Sequence, residues 1–386
     1  MHTSKSEMLY AFQIYRWISS TEVYYCYIII RVLDMLGRII NVGESMNSAE
    51  YIVNLKKQLE EENRGKKYQE ACISYASRLL QSNLPVIFDI KHFALLLGMK
   101  SADLCSLLFV DPDLLYTRRL IPKKNGDKRE ILMPCVLLKH IQRWLLDNIL
   151  VNIPNSPHAM GFRGGLSIVS NAQIHVDQDC IVNIDLKDFF PTITTEDVFR
   201  IFKYYGYTKE LSYAFAKLCT FNGKLPQGSP ASPCISNIRC LKLDKRLAAA
   251  AKLYNAKYTR YADDITISGA SNITQIIPLV RQIIAEEGLI VNENKVHISY
   301  RHQHQQVTGL TVNNNAIRVN KAYKRKLQQE IYYCKKYGPY NHQEHIEDEH
   351  LFFKEHLYGK AYFVCMVEPE VGKRMLADLD TIEWDY

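Results

Sequence analysis

The sequence lacks two features that would place it quickly in a class: closely spaced cysteines and a long apolar run. Its ten cysteines include no Cys-x-x-Cys pair, and the closest two, Cys234 and Cys240, are six positions apart. This spacing excludes a cysteine-based zinc framework. It is typical of reduced, mostly buried thiols in a cytosolic protein.

An apolar stretch near the N-terminus, Val23 to Leu33, is too short to span a membrane and is interrupted by Arg31. It also lacks the basic lead and the small-residue cleavage site of a signal peptide. We therefore expect a cytoplasmic protein that does not associate with membranes.

Positive charge is moderate in total but concentrated in two places. The net charge is +7, and seven basic residues against one acidic residue lie between Arg318 and Lys336. Such patches attract phosphate backbones, although a solvated helix face is the ordinary alternative for either patch alone. The other patch consists of Arg118, Arg119, Lys123, Lys124, Lys128 and Arg129.

Two adjacent acids stand between segments that favour β-strands. Residues 258–261 and 265–267 are rich in β-branched and aromatic side chains, so we expect a hairpin with Asp263 and Asp264 at its tip. Two carboxylates there repel each other unless a divalent cation is present. Mg²⁺ suits such a place, because it combines one or two carboxylates with water and phosphate oxygens. An exposed turn is the alternative for this string alone.

A third acid lies 78 positions before Asp263, at Asp185. The apolar run into Asp185 predicts a buried strand, and Pro191 is expected to end that segment. Between the acids, residues 225–233 are rich in Gly and Pro and predict a tight turn that a substrate can approach closely. Three carboxylates brought together would meet the requirement of a two-metal phosphoryl-transfer site.

The order of these strings resembles the palm of a reverse transcriptase. The strings are Asp185-Leu186-Lys187-Asp188-Phe189-Phe190, Leu225-Pro226-Gln227-Gly228 and Tyr261-Ala262-Asp263-Asp264. Residues 121–129 and 158–163 are similar to the fingers, residues 288–295 to the next palm motif, and residues 307–310 to the primer-grip hairpin. The resemblance implies an α+β right-hand polymerase with fingers, a palm built on an antiparallel sheet, and a helical thumb.

The resemblance also implies a division of the chain. Fingers and palm would occupy residues 46–315, and a helical, RNA-binding thumb residues 316–386. Residues 1–45 would be an extension outside the usual fold, or the result of a start codon assigned too far upstream. Because no room remains for an RNase H, endonuclease or integrase domain, degradation of the RNA template is expected to be the task of another protein.

Two short strings are similar to the signatures of retron reverse transcriptases. They are Asn171-Ala172-Gln173-Ile174-His175 and Val307-Thr308-Gly309. Taken singly, the first fits a helix-capping Asn with a packed His, and the second a simple strand end. Together, in the expected positions, they favour the retron lineage.

The resemblance assigns the metal ligands and a nucleotide-selecting residue. Asp185 and Asp263 would be direct ligands of two Mg²⁺ ions, and Asp264 a ligand or a nearby acid. The backbone carbonyl of Leu186 would add another oxygen. Phe190 would be the gate whose bulk rejects a ribose 2′-OH and so selects deoxynucleotides.

The other residues carried over surround the nucleotide and the primer. Gln227 and Gly228 would shape the nucleotide and template pocket, and Lys124 and Arg129 would grip the triphosphate, although another lysine of that stretch is an alternative to Lys124. Lys295 would protonate the pyrophosphate leaving group, or is a solvated surface charge. Primer or RNA contacts are implied for Tyr261, Ala262, Asn171, His175, Val307, Thr308 and Gly309.

The retron resemblance implies a particular reaction. A structured non-coding RNA from the same locus would be copied with deoxynucleotides, primed by a guanosine 2′-OH of that RNA, to give branched multicopy single-stranded DNA (msDNA). Host RNase H and a separate effector protein acting in phage defence are the implied partners. Two alternatives stay open: a reverse transcriptase of another lineage, such as a group II intron or diversity-generating type, and an RNA-binding scaffold that no longer polymerises.

Overall fold

A computed structural model describes residues 47–122, 126, 128–313, 315–346 and 352–384. Within these ranges the strands are β1 (Tyr116–Pro122), β2 (Lys128–Pro134), β3 (Cys180–Asp185), β4 (Lys257–Tyr261), β5 (Asp264–Gly269), β6 (His297–Tyr300), β7 (Gln306–Val307) and β8 (Leu310–Thr311). The helices are α1 (Ser48–Glu61), α2 (Lys66–Gln81), α3 (Ile90–Leu96), α4 (Ser101–Phe109), α5 (Pro112–Leu115), α6 (Val136–Asn148), α7 (Ile168–Ile174), α8 (Phe189–Thr192), α9 (Thr195–Tyr204), α10 (Lys209–Cys219), α11 (Ser232–Arg239), α12 (Leu241–Leu253), α13 (Ile277–Glu286), α14 (Lys321–Tyr337), α15 (Pro339–His345), α16 (Phe353–Val367) and α17 (Pro369–Asp380). The expectation for residues 1–45 falls outside these ranges.

One compact unit contains the described residues up to Ile153 together with Thr194–Ala231. Its long hairpin pairs β1 with β2 in antiparallel register, with Ile121 opposite Arg129. Its helices enclose an aromatic core, in which the Phe215 ring lies 4.9 Å from that of Phe93, edge-on. Such edge-to-face packing places the positive edge of one ring near the negative face of the other.

Buried Gln142 of α6 connects three parts of this unit. Its amide nitrogen donates to the Tyr116 hydroxyl and to the Leu218 carbonyl, each at 2.8 Å. Its amide oxygen accepts from Ser229 at 2.8 Å. The Pro/Gly loop of residues 225–233 is therefore fixed to α6 and to the start of the hairpin.

A second unit contains Pro154–Ile193 and the described residues of Ser232–Tyr386. Its central antiparallel sheet has the strand order β4-β5-β3-β6. Because side chains alternate between the faces of a sheet, one face is apolar and packs in a core with residues of α12 and α13, while the other is polar. The apolar face carries Val182, Ile184, Ile265 and Ile267. The polar face carries Asn183, Asp185, Asp264 and Thr266.

The C-terminal helices belong to the same unit as the sheet. Buried Leu327, Leu357 and Leu379 of α14, α16 and α17 share a core with Ile181 of β3 and Val307 of β7. The expected fingers-and-palm range, 46–315, is therefore divided between the two units. The helical character expected for the C-terminal segment is present, and its role as a thumb stays a prediction.

The expectation that Pro191 ends the Asp185 strand is wrong. β3 ends at Asp185, and Pro191 lies in the short helix α8. Proline is tolerated there because the first turn of a helix leaves its N–H groups without intrahelical partners.

No single helix in the described ranges is long and apolar enough to cross a membrane, although α3 and α4 together pass on length and composition, with a 109° bend between them.

Candidate active site

Three acidic residues lie near one another at one end of the polar sheet face. Asp185 ends β3 and lies directly opposite Asp264, the first residue of β5. Asp263 occupies the two-residue turn between β4 and β5, and its carbonyl accepts from the Leu186 N–H at 3.1 Å. The structure thus brings together the three acids that the sequence suggested as metal ligands.

Two neighbouring side chains stabilise the negative charge of Asp185. The Lys295 ammonium donates to both carboxylate oxygens of Asp185, at 2.9 and 3.0 Å, and the Asn292 amide donates to one of them at 3.0 Å. Lys295 is therefore an ion-pair partner of Asp185 and not simply a solvated surface charge.

The neighbouring acids also affect the pKa of the Asp264 carboxyl. Desolvation, followed by the charges of Asp263 and Asp185, raises the pKa of the Asp264 carboxyl to about 6, and Lys295 lowers it in part. The residue nevertheless keeps contact with solvent. A carboxyl group with this pKa binds either a proton or a cation readily near neutral pH.

The donor set fits a hard divalent cation. Besides the three carboxylates, the Leu186 carbonyl is available, because no N–H of the described residues donates to it. No three Asp, Glu, His or Cys side chains in the described ranges converge tightly enough to hold an ion by themselves. Mg²⁺ commonly takes only one or two carboxylates and obtains its other ligands from water and phosphates, so substrate would complete such a site.

A buried arginine supports the turn from behind, a feature that the sequence reasoning missed. Arg260 has no exposed surface and pairs with the equally buried Asp244. Arg260 also donates to the Ala262 carbonyl at 3.0 Å and to the Asn237 amide oxygen at 3.2 Å. The available signal was an arginine at an inward-facing position of an otherwise β-branched and aromatic strand.

Four of the residues predicted to contact primer or RNA are buried, so their predicted contacts stay predictions. His175 is 0 % exposed, and both ring nitrogens form hydrogen bonds of 2.7 Å, to Ser268 and Thr259. The buried residues are His175, Asn171, Val307 and Ala262. For His175 the alternative interpretation, a packed histidine, is the one that the structure supports.

The two signature strings nevertheless meet in space. The Asn171 amide lies 3.5 Å from the Thr308 hydroxyl, which in turn donates to the Ile168 carbonyl at 3.3 Å. Thr308 and Gly309 both have positive φ, of 46° and 83°, as a two-residue type I′ hairpin requires. A β-branched residue is strained in that conformation, so Asn171 and Ile168 hold the turn from the side.

A groove of about 460 Å³ is lined by Asp264 and by both residues of this turn. Tyr261, Thr308 and Gly309, three of the predicted primer contacts, lie along it. Its lining contains no lysine or arginine but includes Asp264, so a ligand there would be recognised by hydrogen bonds and not by phosphate pairing. The lining residues are Ile168, Asn183, Tyr261, Asp264, Thr266, His297, His304, Gln306, Thr308 and Gly309.

The remaining predicted nucleotide contacts are placed as follows. Phe190 is half-buried, with its ring 5.4 Å from that of Phe189. In the other unit, Arg129 is exposed at the start of β2, and the Gln227 carbonyl accepts from the Leu132 N–H at 2.8 Å. Lys124 lies outside the described residues.

Gly228 needs to be glycine for a local reason. Its φ is +131°, and an added Cβ would lie 2.5 Å from the Leu132 carbonyl oxygen. The loop therefore lies against β2 at a distance that only a residue without a side chain permits.

Carboxylates at one end of a sheet, with an ammonium and a groove beside them, are typical of a phosphoryl-transfer enzyme. Residues 121–313 match the family described as reverse transcriptase (RNA-dependent DNA polymerase). The chain is therefore a reverse transcriptase, an RNA-directed DNA polymerase that acts with divalent metal ions, and its fold is of the α+β right-hand polymerase class.

Similarity to curated proteins shows to which group of reverse transcriptases the chain belongs. The chain is 31% identical over 315 residues to the retron Ec86 reverse transcriptase of Escherichia coli, covering 80% of this chain and 94% of that protein. It is 35% identical over 309 residues to the retron Mx162 reverse transcriptase of Myxococcus xanthus, covering 71% of this chain and 62% of that protein. The chain belongs to the retron reverse transcriptases. The non-retron and non-polymerising alternatives are thereby set aside.

Among solved structures, telomerase from Candida albicans in complex with a fragment of telomeric RNA is similar at a TM-score of 0.40. The identity is 12%, and the match covers 68% of this chain and 62% of the telomerase chain.

Proposed function

We propose that this enzyme makes branched msDNA from a structured non-coding RNA of its own locus, primed by a guanosine 2′-OH of that RNA. The observation that carries the proposal is the closeness of Asp185, Asp263 and Asp264, the last of which lines a groove together with Thr308. The retron membership of the chain supports the priming mode. The groove beside the acids, whose lining contains no lysine or arginine, is suited to a nucleoside whose hydroxyl must be presented for attack.

In this proposal the acids and the Leu186 carbonyl would hold two Mg²⁺ ions, for which their oxygen donors are suited. When bound, such ions stabilise the charge that develops on the attacking and leaving oxygens. Lys295 carries a proton within reach of the site and would give it to the departing pyrophosphate. Arg129 and the lysines of the same hairpin would hold the triphosphate, and Gln227 with Gly228 would shape the pocket.

Phe190 is proposed to select the sugar. Its bulk would occupy the space that a ribose 2′-OH requires, so deoxynucleotides would be accepted and ribonucleotides rejected. Its half-buried position at the start of α8, five residues after Asp185, supports this role.

We propose that fingers and palm lie within residues 46–315 and that the helices after residue 315 form an RNA-binding thumb. Helix α14 carries an exposed aromatic and basic stripe, in which the Lys336 ammonium lies 5.8 and 5.0 Å from the Tyr332 and Tyr337 rings. Exposed aromatic rings beside cations stack on unpaired bases. The RNA would be recognised through its stem-loops and unpaired bases.

We also propose where in the cell the protein acts and with which other proteins. The protein would act in the bacterial cytoplasm, host RNase H would remove the copied template, and a separate effector protein would use the enzyme and its msDNA in defence against phage. The nine described cysteines are all free thiols, which supports this location.

The test is a denaturing gel of nucleic acid from cells that express the chain with its flanking non-coding DNA. A discrete single-stranded DNA that shifts after debranching, and that is absent with Asp263→Asn, would support the proposal. Extension of a supplied DNA primer on RNA without any branched DNA in cells would overturn msDNA synthesis and leave the polymerase activity in place.

The thumb proposal has its own test. Tyr332→Ala and Tyr337→Ala should each weaken binding of the locus RNA by about 1–3 kcal/mol, since each removes a stacking surface. Tyr204→Ala is the matched control, because Tyr204 is also exposed but lies in the other unit. Equal affinities for all three variants would contradict the assignment.

A further inference from the structure

Phe162 combines two properties that do not stabilise a fold. Its φ is +61°, in the left-handed region that a bulky aromatic residue rarely adopts. Its side chain is also substantially exposed, with 47% of the residue's surface accessible. Strained residues persist where surrounding structure imposes them, and they are concentrated at functional sites.

The segment around Phe162 is held firmly on one side by the β4 strand. The Met160 N–H donates to the Arg260 carbonyl at 2.7 Å, and the Arg260 N–H donates to the His158 carbonyl at 2.9 Å. At Gly161 an added Cβ would lie 2.9 Å from the Ala262 nitrogen, so this backbone lies directly against the turn that carries Asp263.

The same segment is closed on its other side. The Asn237 amide donates to the Gly161 carbonyl at 2.9 Å. Arg163 donates to the carbonyls of Ser156 and Ala159, at 3.0 and 3.1 Å, which joins the ends of the loop. Phe162 therefore has a fixed backbone on both sides.

The Phe162 ring lies against Phe190. The ring centroids are 6.2 Å apart at an interplanar angle of 53°, within the range of favourable aromatic pairs. Phe190 also contacts Phe189, which is buried in the core that the sheet forms with helices α12 and α13. Phe190 thus lies between one aromatic ring fixed in the core and a second one fixed by the loop.

We propose that Phe162 is a positioning residue for sugar selection: it holds the Phe190 ring in the orientation that excludes the 2′-OH of a ribonucleoside triphosphate. The inference rests on the proposed role of Phe190 as the sugar gate. Without the Phe162 ring, Phe190 gains room to rotate toward the space that this ring occupied, and the 2′-OH is tolerated. Phe162 then acts on selectivity through Phe190 and not by contact with the reacting atoms.

The test is single-nucleotide incorporation on an RNA template, with kcat/KM measured for a deoxynucleotide and for the matching ribonucleotide. Phe162→Gly removes the ring and relieves the backbone strain, so the fold is retained. We expect it to lower the preference for deoxynucleotides by about three- to tenfold, the equivalent of one aromatic pair. Phe162→Tyr should keep the wild-type preference for deoxynucleotides, because it retains the ring.

Phe190→Ala separates the two hypotheses. If Phe190→Ala relaxes the preference but Phe162→Gly does not, the positioning role is overturned and the gate stands. If Phe190→Ala leaves the preference unchanged, the gate itself is overturned, and the inference with it. The double variant should be no less selective than Phe190→Ala alone, since Phe162 acts through Phe190; additive losses would contradict the inference.

Discussion

Arg260 and Asp244 form an ion pair in which neither side chain has any exposed surface. Two guanidinium nitrogens of Arg260 donate to the two carboxylate oxygens of Asp244, at 2.7 and 2.8 Å, and the Tyr258 hydroxyl donates to the same carboxylate at 2.7 Å. The Arg260 guanidinium also donates a hydrogen bond to the carbonyl of Ala262, the turn residue that precedes Asp263. The position of a proposed metal ligand therefore depends on charges buried behind it.

Removing one partner of this pair should destabilise the protein strongly. Asp244→Asn leaves the Arg260 charge buried without compensation, and we expect a loss of about 3–5 kcal/mol in the free energy of unfolding, measured in urea. The control is Glu196→Gln, which breaks the exposed Arg200–Glu196 pair and should cost less than about 1 kcal/mol. Similar losses for the two variants would show that the buried pair contributes no more to the free energy of unfolding than the exposed pair does.

Lys295→Met should separate metal binding from chemistry. Without the ammonium on Asp185, divalent cations meet less competition, so Mn²⁺ should bind more tightly in an equilibrium titration. If Lys295 supplies the leaving-group proton, the single-turnover rate at saturating metal should still fall by about 100-fold or more. Lys295→Arg, which keeps the charge, should retain the weaker Mn²⁺ affinity. Unchanged Mn²⁺ affinity in the Met variant would contradict the hypothesis that Lys295 competes with the cation for Asp185.

His175 should make stability depend on pH. Desolvation, with a smaller contribution from Lys257, lowers the pKa of this histidine from 6.5 to about 3. Between these values the unfolded chain binds the proton and the native protein does not. The stabilising contribution is therefore complete above pH 6.5 and is lost as the pH falls toward 3.

Urea unfolding between pH 7.5 and 4.5 would check this. The wild type should lose up to about 1.4 kcal/mol per pH unit from this single group in the acid part of the range. His175→Gln has no ionisable ring and should show a correspondingly flatter profile, whatever its stability at neutral pH. Parallel profiles would mean that His175 has the same pKa in the native and the unfolded protein.

Gly228→Ala should disturb the loop far more than an alanine at another positive-φ glycine. The new Cβ would meet the Leu132 carbonyl oxygen at 2.5 Å, so strain and overpacking together should cost more than about 2–3 kcal/mol. Gly223→Ala is the matched control, because Gly223 has a φ of +81° but no atom within 4 Å of the added carbon. Equal costs, measured by thermal unfolding, would assign the whole effect to backbone strain.

Local sequence patterns predicted the elements that carry the acids. The apolar run before Asp185 and the β-branched segments around Asp263 form β3, β4 and β5, because alternation and strand-forming side chains are local properties. The same reasoning was wrong about Pro191, since a proline that ends a strand and a proline in the first turn of a helix look alike in sequence.

Long-range packing was less visible in the sequence. The signature residues Asn171 and His175 suggested contacts with RNA, but His175 is enclosed between Ser268 and Thr259, which are 93 and 84 positions away in the chain. A string of residues shows which types recur at a spacing. It does not show which side of a helix meets the core.

By itself, the sequence determined the chemistry: three acids in order along the chain, an aromatic residue five positions after the first, and the strings that favour the retron lineage. Only the tertiary structure decided which residues meet. The pairing of Lys295 with Asp185, the burial of Arg260 against Asp244 and the contact of Phe162 with Phe190 join positions 16 to 110 residues apart. The physical reason is that strand register and side-chain burial are set by the core as a whole, whereas the residue types needed for catalysis are present in the chain before it folds.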